Sequence, residues 1–375
     1  MPLPFIYLQN QLLFMINLQT KNRRTVNYLK TIYFDYPEWT HCTVDFLPAV
    51  WIKHGPELEK IVLAHPRVFP GYKKGDIDFR FQTMANPLYE EGVRTDTWGT
   101  VWKNAERGLD SYPVQYPLTD WEKFEQYPFP DPLTDDTFAA RDWNKIEKIL
   151  NEAKTKGDLA VCNGLPHGFM YMRLYYLRGF ENFMMDMAAE EPRLWQLITI
   201  IEQYNLTVIN KYLQLGADFF DFGDDLGLQT SLPMSRGMWQ KYIKPSYLRM
   251  FQPIRQAGLP VRLHTDGNIL AIIPDLIESG VSLLNVQLRA NGLENLRNQA
   301  RGRIALHQDL DRQLFPFVNP SEIEDHIGEV VEALYLPQGG LMIYAECGPD
   351  VPLDNIDAVC SALEKFCKLP HPDVD

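Results

Sequence analysis

From Asp158 onward the chain repeats one pattern. A short apolar run ends in a polar side chain and is followed by a longer stretch whose apolar residues recur at helical spacing. Residues 159–162, 219–222, 261–264, 283–287, 304–306 and 341–345 read as buried strands. Residues 182–189, 192–213, 237–256, 270–279 and 320–334 read as helices, with Pro320-Ser321 as a helix start and Gly258 and Gly280 as stops. Residues 42–46 add a seventh strand. Alternation of strand and helix requires a parallel sheet with helical crossovers. The count favours an α/β fold of the (β/α)8 TIM-barrel type, with one strand unplaced, over a doubly wound sheet. No Gly-x-Gly-x-x-Gly follows a strand and no phosphate-loop lysine motif occurs, so nucleotide sites of those kinds are not expected.

Residues from about 72 to 132 break the alternation. Rich in Pro, Tyr, Trp and Asp, with Trp98, Trp102, Tyr112, Tyr116, Trp121 and Tyr127, they read as an inserted lid or hairpin in a single domain spanning 21–375. Neither an internal repeat nor a Gly/Ser linker divides that domain. Residues 1–20 carry no charged side chain and read as an N-terminal extension, or as an upstream start with Met15 the natural one. A secretory signal places cations before its apolar stretch, whereas here they follow it and Gln9, Asn10, Gln11 and Asn17 interrupt it. The same polar residues argue against a membrane span.

Composition narrows the function. With 45% hydrophobic and 23% charged residues in 375, the chain is a folded protein with a sizeable core. Its 49 acidic against 36 basic residues give a net charge of -13, which disfavours nucleic acid and anionic membrane surfaces as partners. Five irregularly spaced cysteines do not form a secreted disulfide framework, and a reducing cytoplasm is expected. The partner implied is a small molecule; a homodimer is left open.

In a parallel barrel the active site forms where strands end, and nearly every strand here ends in an ionisable or metal-competent group. Asp45 follows the first run and Asn163 the next; Asp221, Asp224 and Asp225 follow Phe219-Phe220. His264 and Asp266, Gln287, His307 and Asp309, and Glu346 with Cys347 end the later runs. His264 and Asp266, two apart on an extended strand end, put two ligand-competent groups on one side. The same five residues, His264-Thr265-Asp266-Gly267-Asn268, also read as a turn with Asn268 capping the next helix. Asp224-Asp225-Leu226-Gly227 either binds a ligand or orders a loop. Cys347 alone would be a small buried hydrophobe; its place beside Glu346 makes it a candidate. Cys360 and Cys367 read as core. His167, after Asn163-Gly164-Leu165-Pro166, lies on a loop within reach of the strand ends. The aromatic cluster around Trp98 reads as lid packing or as a platform for a flat substrate.

Asn22-Arg23-Arg24, Asp96-Thr97-Trp98-Gly99-Thr100-Val101-Trp102 and Leu177-Arg178-Gly179-Phe180-Glu181-Asn182 resemble segments of the uroporphyrinogen decarboxylase superfamily. So do Asp224-Asp225-Leu226-Gly227, His264-Thr265-Asp266-Gly267-Asn268-Ile269 and Val351-Pro352-Leu353-Asp354-Asn355-Ile356, in the order the superfamily has them. The resemblance covers almost everything after residue 20 and implies a (β/α)8 barrel with its cleft at the strand C-termini.

That superfamily contains haem-pathway decarboxylases and zinc-dependent methyltransferases that work with corrinoid proteins. The decarboxylases carry an arginine-rich segment after the first strand, since an octacarboxylate substrate needs fixed cations. Here that stretch is Thr43-Val44-Asp45-Phe46-Leu47-Pro48, no arginine occurs between Arg24 and Arg67, and Cys347-Gly348 stands in place of a His-Gly. The methyltransferases hold zinc through a His-x-Cys and a later Cys, and the resemblance carries these roles to His264, Asp266 and Cys347, with Glu346 or Asp225 completing a tetrahedron. It makes Asp225, Asp45 and His264 the catalytic candidates and Asp224, Asn163, Gln287, Trp98 and His307 the substrate-binding ones. No corrinoid-binding Asp-x-His-x-x-Gly occurs, so a corrinoid would be carried by a separate partner protein. Three functions are therefore expected in this order: a zinc-dependent, corrinoid-linked methyltransferase, a metal-free decarboxylase (lyase), and a non-catalytic binding barrel.

Overall fold

A computed structural model describes residues 16–82 and 84–370; most of the expected N-terminal extension, Met15 included, lies outside the described residues. The chain divides into two compact units. Among the described residues, those up to Val26 with Val93–Lys103 and Tyr112–Leu284 belong to the first, and Asn27–Gly92, Asn104–Ser111 and those from Asn285 onward to the second. The barrel-type strands are β1 (His41–Phe46), β2 (Val161–Cys162), β3 (Phe219–Gly223), β4 (Val261–Thr265), β5 (Leu283–Gln287), β6 (Ala305–Asp309) and β7 (Leu341–Cys347). The main helices are α1 (Pro48–Ala64), α2 (Tyr171–Arg178), α3 (Pro192–Gln214), α4 (Lys244–Gln256), α5 (Pro320–Leu334) and α6 (Leu353–Cys367). The seven strands form one parallel sheet, the α/β arrangement expected, and no eighth strand of this sheet occurs among the described residues.

In the first unit β3 pairs with both β2 and β4. Along β4, Val261, Leu263 and Thr265 are buried while Arg262 and His264 take the other face, the period-two pattern of a strand with one wetter side. Its register against β3 sets Asp221 opposite Arg262 and Gly223 opposite His264. Helix α4 buries Tyr247, Met250, Phe251 and Ile254, an i, i+3, i+4, i+7 stripe. Phe251 meets Phe222 of β3 with ring centroids 5.1 Å apart, and Phe222 meets Phe169 at 5.0 Å. Each such ring, fully buried, stabilises the fold by about 1.5–3 kcal/mol.

In the second unit β7 pairs with both β1 and β6, with Asp45 opposite Glu346 and Phe46 opposite Cys347. Helix α5 starts at a capping box in which Asn319 and Glu322 bond reciprocally. Cys360 and Cys367, on α6, are buried as expected.

Three local expectations change. The helix expected over 237–256 is interrupted: a π-helical turn, Trp239–Ile243, separates a short helix, Arg236–Met238, from α4. Helix α2 was not anticipated, because its Tyr- and Arg-rich sequence is buried on nearly all sides and shows almost no helical periodicity. The N-cap position ahead of residues 270–272 falls on Ile269 rather than Asn268.

The segment expected as an insertion contains the antiparallel strands Val101–Asn104 and Tyr112–Gln115. Its Asp96 is tied to α2 by a buried ion pair. Arg173 Nη1 donates to Asp96 Oδ2 at 3.0 Å, and Trp102 Nε1 and the Thr100 amide donate to the same carboxylate. Both charged side chains are at most 2% exposed. Trp98, also buried, lies 5.2 Å beneath the Arg173 guanidinium. Removing one partner of such a pair leaves an uncompensated buried charge. Arg173→Met is therefore expected to lower unfolding free energy by about 3–5 kcal/mol, read from urea denaturation followed by tryptophan fluorescence.

Candidate functional site in the first unit

The loops that follow β3 and β4 are joined through their backbones. The Asp224 amide donates to the His264 carbonyl (3.0 Å), the Gly227 amide to the Asp266 carbonyl (3.1 Å) and the Asn268 amide to the Leu228 carbonyl (2.7 Å). The Thr265 hydroxyl accepts from the Leu226 amide. Gly227 and Gly267 make this approach feasible: a Cβ on Gly267, whose φ is +82°, would lie 2.2 Å from the Gly227 carbonyl carbon. A third loop, after β2, is anchored to the same strand end by the Gly168 amide, which donates to the Gly223 carbonyl at 2.7 Å. A Cβ on Gly223 would come within 2.8 Å of the His167 ring, so glycine leaves that ring its place.

Three side chains converge where these loops meet. His167 Nε2 is 3.1 Å and His264 Nε2 3.6 Å from Asp225 Oδ1, and the imidazole centroids are 5.3 Å apart. Asp225 Oδ1 also accepts the Asp266 amide at 3.0 Å, and Asp266 Oδ1 lies 3.5 Å from His264 Nε2. The His167 side chain is 46% exposed. Water displaced from the rest of the ring pushes its pKa down; Asp225 opposes this and His264 adds to it.

The neighbouring carboxylate has another role. Asp224 is fully buried and accepts the Tyr171 and Met172 amides (2.6 and 2.9 Å) and the Tyr247 hydroxyl (2.7 Å). It thereby binds the N-terminus of α2, where free amides and the helix dipole favour a negative charge. Burial pushes its pKa up to about 7 against these hydrogen bonds, with Asp225 adding to the rise. Consecutive aspartates thus face opposite ways, one anchoring a helix and one presenting a donor atom.

The sequence-derived candidates separate accordingly. Asp225, His264 and Asp266 come together, joined by His167, whose loop the sequence places within reach of the strand ends without giving it a role. Its signal was the Gly-Leu-Pro-His-Gly run directly after a strand. Asn163 is exposed at the end of β2, and Trp98 packs against Tyr204 and Phe129 in the core of the unit. The others lie in the second unit. There Arg312 binds both Asp309 and Glu346, and Tyr344 donates to Glu346 Oε2 at 3.2 Å. Asp45 is exposed, Gln287 is half-buried, and the buried His307 ring packs on Tyr344 at 5.2 Å. Cys347 is fully buried; burial, then Glu346 and Asp350, push its pKa up.

Two imidazole nitrogens and a carboxylate oxygen, all within 4.8 Å of one another, are the donor set of a catalytic zinc site that keeps an open position. Bonds of about 2.05 Å in a tetrahedron place donors roughly 3.3 Å apart, and the two nitrogen–oxygen separations, 3.1 and 3.6 Å, bracket that edge. The residues therefore fit such an ion. Asp224→Ala, which strands three buried donors, is expected to destabilise by at least about 1–3 kcal/mol. Asp225→Asn is expected to leave the urea midpoint nearly unchanged while weakening metal uptake. Equal loss of stability in both would contradict this division of roles.

The structure is similar to that of a methyltransferase from Methanosarcina mazei, with a TM-score of 0.58 at 16% identity over 91% of this chain and 98% of that one. This likeness shows a shared fold. Lesser likenesses are to a D-psicose 3-epimerase from Clostridium cellulolyticum H10 (TM-score 0.35, 10% identity, 61% of this chain and 84% of that one) and a dihydropteroate synthase from Xanthomonas albilineans (0.29, 16%, 44% and 62%). Curated protein sequences give no match. No helix among the described residues is long and apolar enough to cross a membrane. The family model for uroporphyrinogen decarboxylase (URO-D) matches residues 113–366, and the chain belongs to that family.

Proposed function

We propose that the chain is a zinc-dependent methyltransferase, moving a methyl group between a small methylated substrate and a corrinoid carried by a partner protein. The convergence of His167, Asp225 and His264 carries this reading. These three would hold the ion, and Asp266, beside His264, is the nearest further donor. Cys347 and Glu346, to which the family resemblance carries ligand roles, lie in the second unit. Bound at His167, Asp225 and His264, zinc would supply Lewis acidity that stabilises negative charge on the atom the methyl group leaves.

The chain's own residues do the positioning. The glycine contact between the two loops fixes where Asp225 and His264 stand, and Asp224 secures the underlying backbone to α2. Gly168, tethered to β3, aims His167. Three buried or half-buried arginines of this unit also support methyl transfer over porphyrinogen decarboxylation. Arg173, Arg178 and Arg262 are bound to Asp96, Asp186 and Asp221, whereas an octacarboxylate needs guanidinium groups directed at it.

Elemental analysis of protein purified without chelators should find about one zinc per chain, by the stoichiometry of a single mononuclear site, and His264→Ala and His167→Ala should lose it. The zinc protein should pass a labelled methyl group to a reduced corrinoid. Metal-free protein that releases carbon dioxide from a porphyrinogen would instead establish the decarboxylase reading.

A further inference from the structure

We infer that the methyl group handled at this site is bound to oxygen, in a neutral methyl ether or methyl alcohol, and not to sulfur or to a quaternary nitrogen. This rests on the His167–Asp225–His264 site being a metal centre, and it deepens that reading by fixing the substrate class.

The donor set is the first ground. Two neutral imidazoles and one carboxylate place a single negative charge around a divalent ion, leaving it a net positive charge. Ions held by nitrogen and oxygen in this way are strong Lewis acids toward oxygen and bring bound water to a pKa near 7. Thiolate-rich sets neutralise the ion and favour soft sulfur partners. The first unit has one cysteine, Cys162, fully buried, and burial holds its thiol at about 12. It is not among the side chains that converge at the site.

Charge is the second ground. Asp225 and Asp266 lie at the site, and Asp221 shares a strand face with Gly223, one strand pair below His264. Arg262, opposite Asp221, is bound to it at 2.6 Å. An anionic substrate would be drawn by the ion's net positive charge but would meet Asp266 and Asp221 around it, which offset that charge. A quaternary ammonium would be attracted, but it has no lone pair to offer a metal, so the Lewis acid could not assist its departure. A neutral oxygen compound satisfies both conditions: its lone pair reaches the ion and it brings no charge for the aspartates to repel.

The step balances with the reduced corrinoid already invoked. The methyl carbon–oxygen bond breaks with its electron pair passing to oxygen, which takes up a proton and departs as the alcohol or phenol, or as water when methanol is the donor. The low-valent cobalt of the corrinoid supplies the pair for the new carbon–cobalt bond and is formally oxidised by two electrons.

Cobalt(II) in place of zinc tests this without relying on turnover. The cobalt-loaded full chain should show visible ligand-field bands and no near-ultraviolet thiolate charge-transfer band. His167→Ala should weaken cobalt binding by more than about tenfold, a loss at least as large as that from removing an outer-shell partner, whereas Cys347→Ser should not. Methanol and phenol should shift the ligand-field bands; dimethyl sulfide, methanethiol and tetramethylammonium should not. If cobalt binds through His167 but the sulfur compounds shift the bands and the oxygen compounds do not, the oxygen assignment is overturned and the metal site stands. A thiolate band lost in Cys347→Ser overturns the ligand set. Failure of cobalt to bind overturns the metal site and, with it, the function proposed above.

Discussion

The carboxylate of Asp224 is out of contact with water, and much of the first unit's geometry follows from where its hydrogen bonds go. Its oxygens are held by two amides at the start of α2 and by the Tyr247 hydroxyl on α4. The end of β3 is thereby secured to two helices at once. A buried carboxylate is costly unless fully bonded, so the chain immediately after it has little freedom, and Asp225 must turn toward the histidines. The candidate site is the outward half of a dipeptide whose inward half is structural.

The sequence revealed the sheet well, since its strands are short apolar runs with glycine or proline near their ends and periodic helices between. Strand β4 was legible because Val261, Leu263 and Thr265 alternate with polar neighbours. Helix α2 was hidden for the opposite reason: Arg173 and Arg178 are buried in it alongside Leu174 and Leu177, so no polar face marks its surface side. The arginines are inside because Asp96 and Asp186 are there to receive them, and the pairing of Arg173 with Asp96, distant along the chain, leaves no trace in local spacing. The division into two units was equally hidden, since each is assembled from separated stretches of chain and no linker composition marks the crossings.

The site was legible in part. His264, Asp266 and Asp225 stood out as polar residues at strand ends, where a parallel α/β fold concentrates its chemistry. His167 was harder to assign, because its position depends on Gly168 bonding to Gly223, a contact between residues 55 apart (223 − 168) along the chain. Family resemblance drew attention to Cys347, which is fully buried in the second unit, its thiol pKa pushed up by burial.

The glycine-to-glycine contact between residues 227 and 267 bears on how this site can change. The two loops meet largely through main-chain atoms, with the Asp225 carboxylate and the Thr265 hydroxyl each accepting one amide across the gap, so the separation of residues 225 and 264 depends little on the side chain at 264. The donor atom at 264 can therefore be exchanged, by natural drift or by design, while the scaffold that spaces it keeps its shape. Substitutions at 264 would change the chemistry of the cluster and leave this junction in place, whereas any residue larger than glycine at 227 or 267 would disturb residues 225, 264 and 266 together.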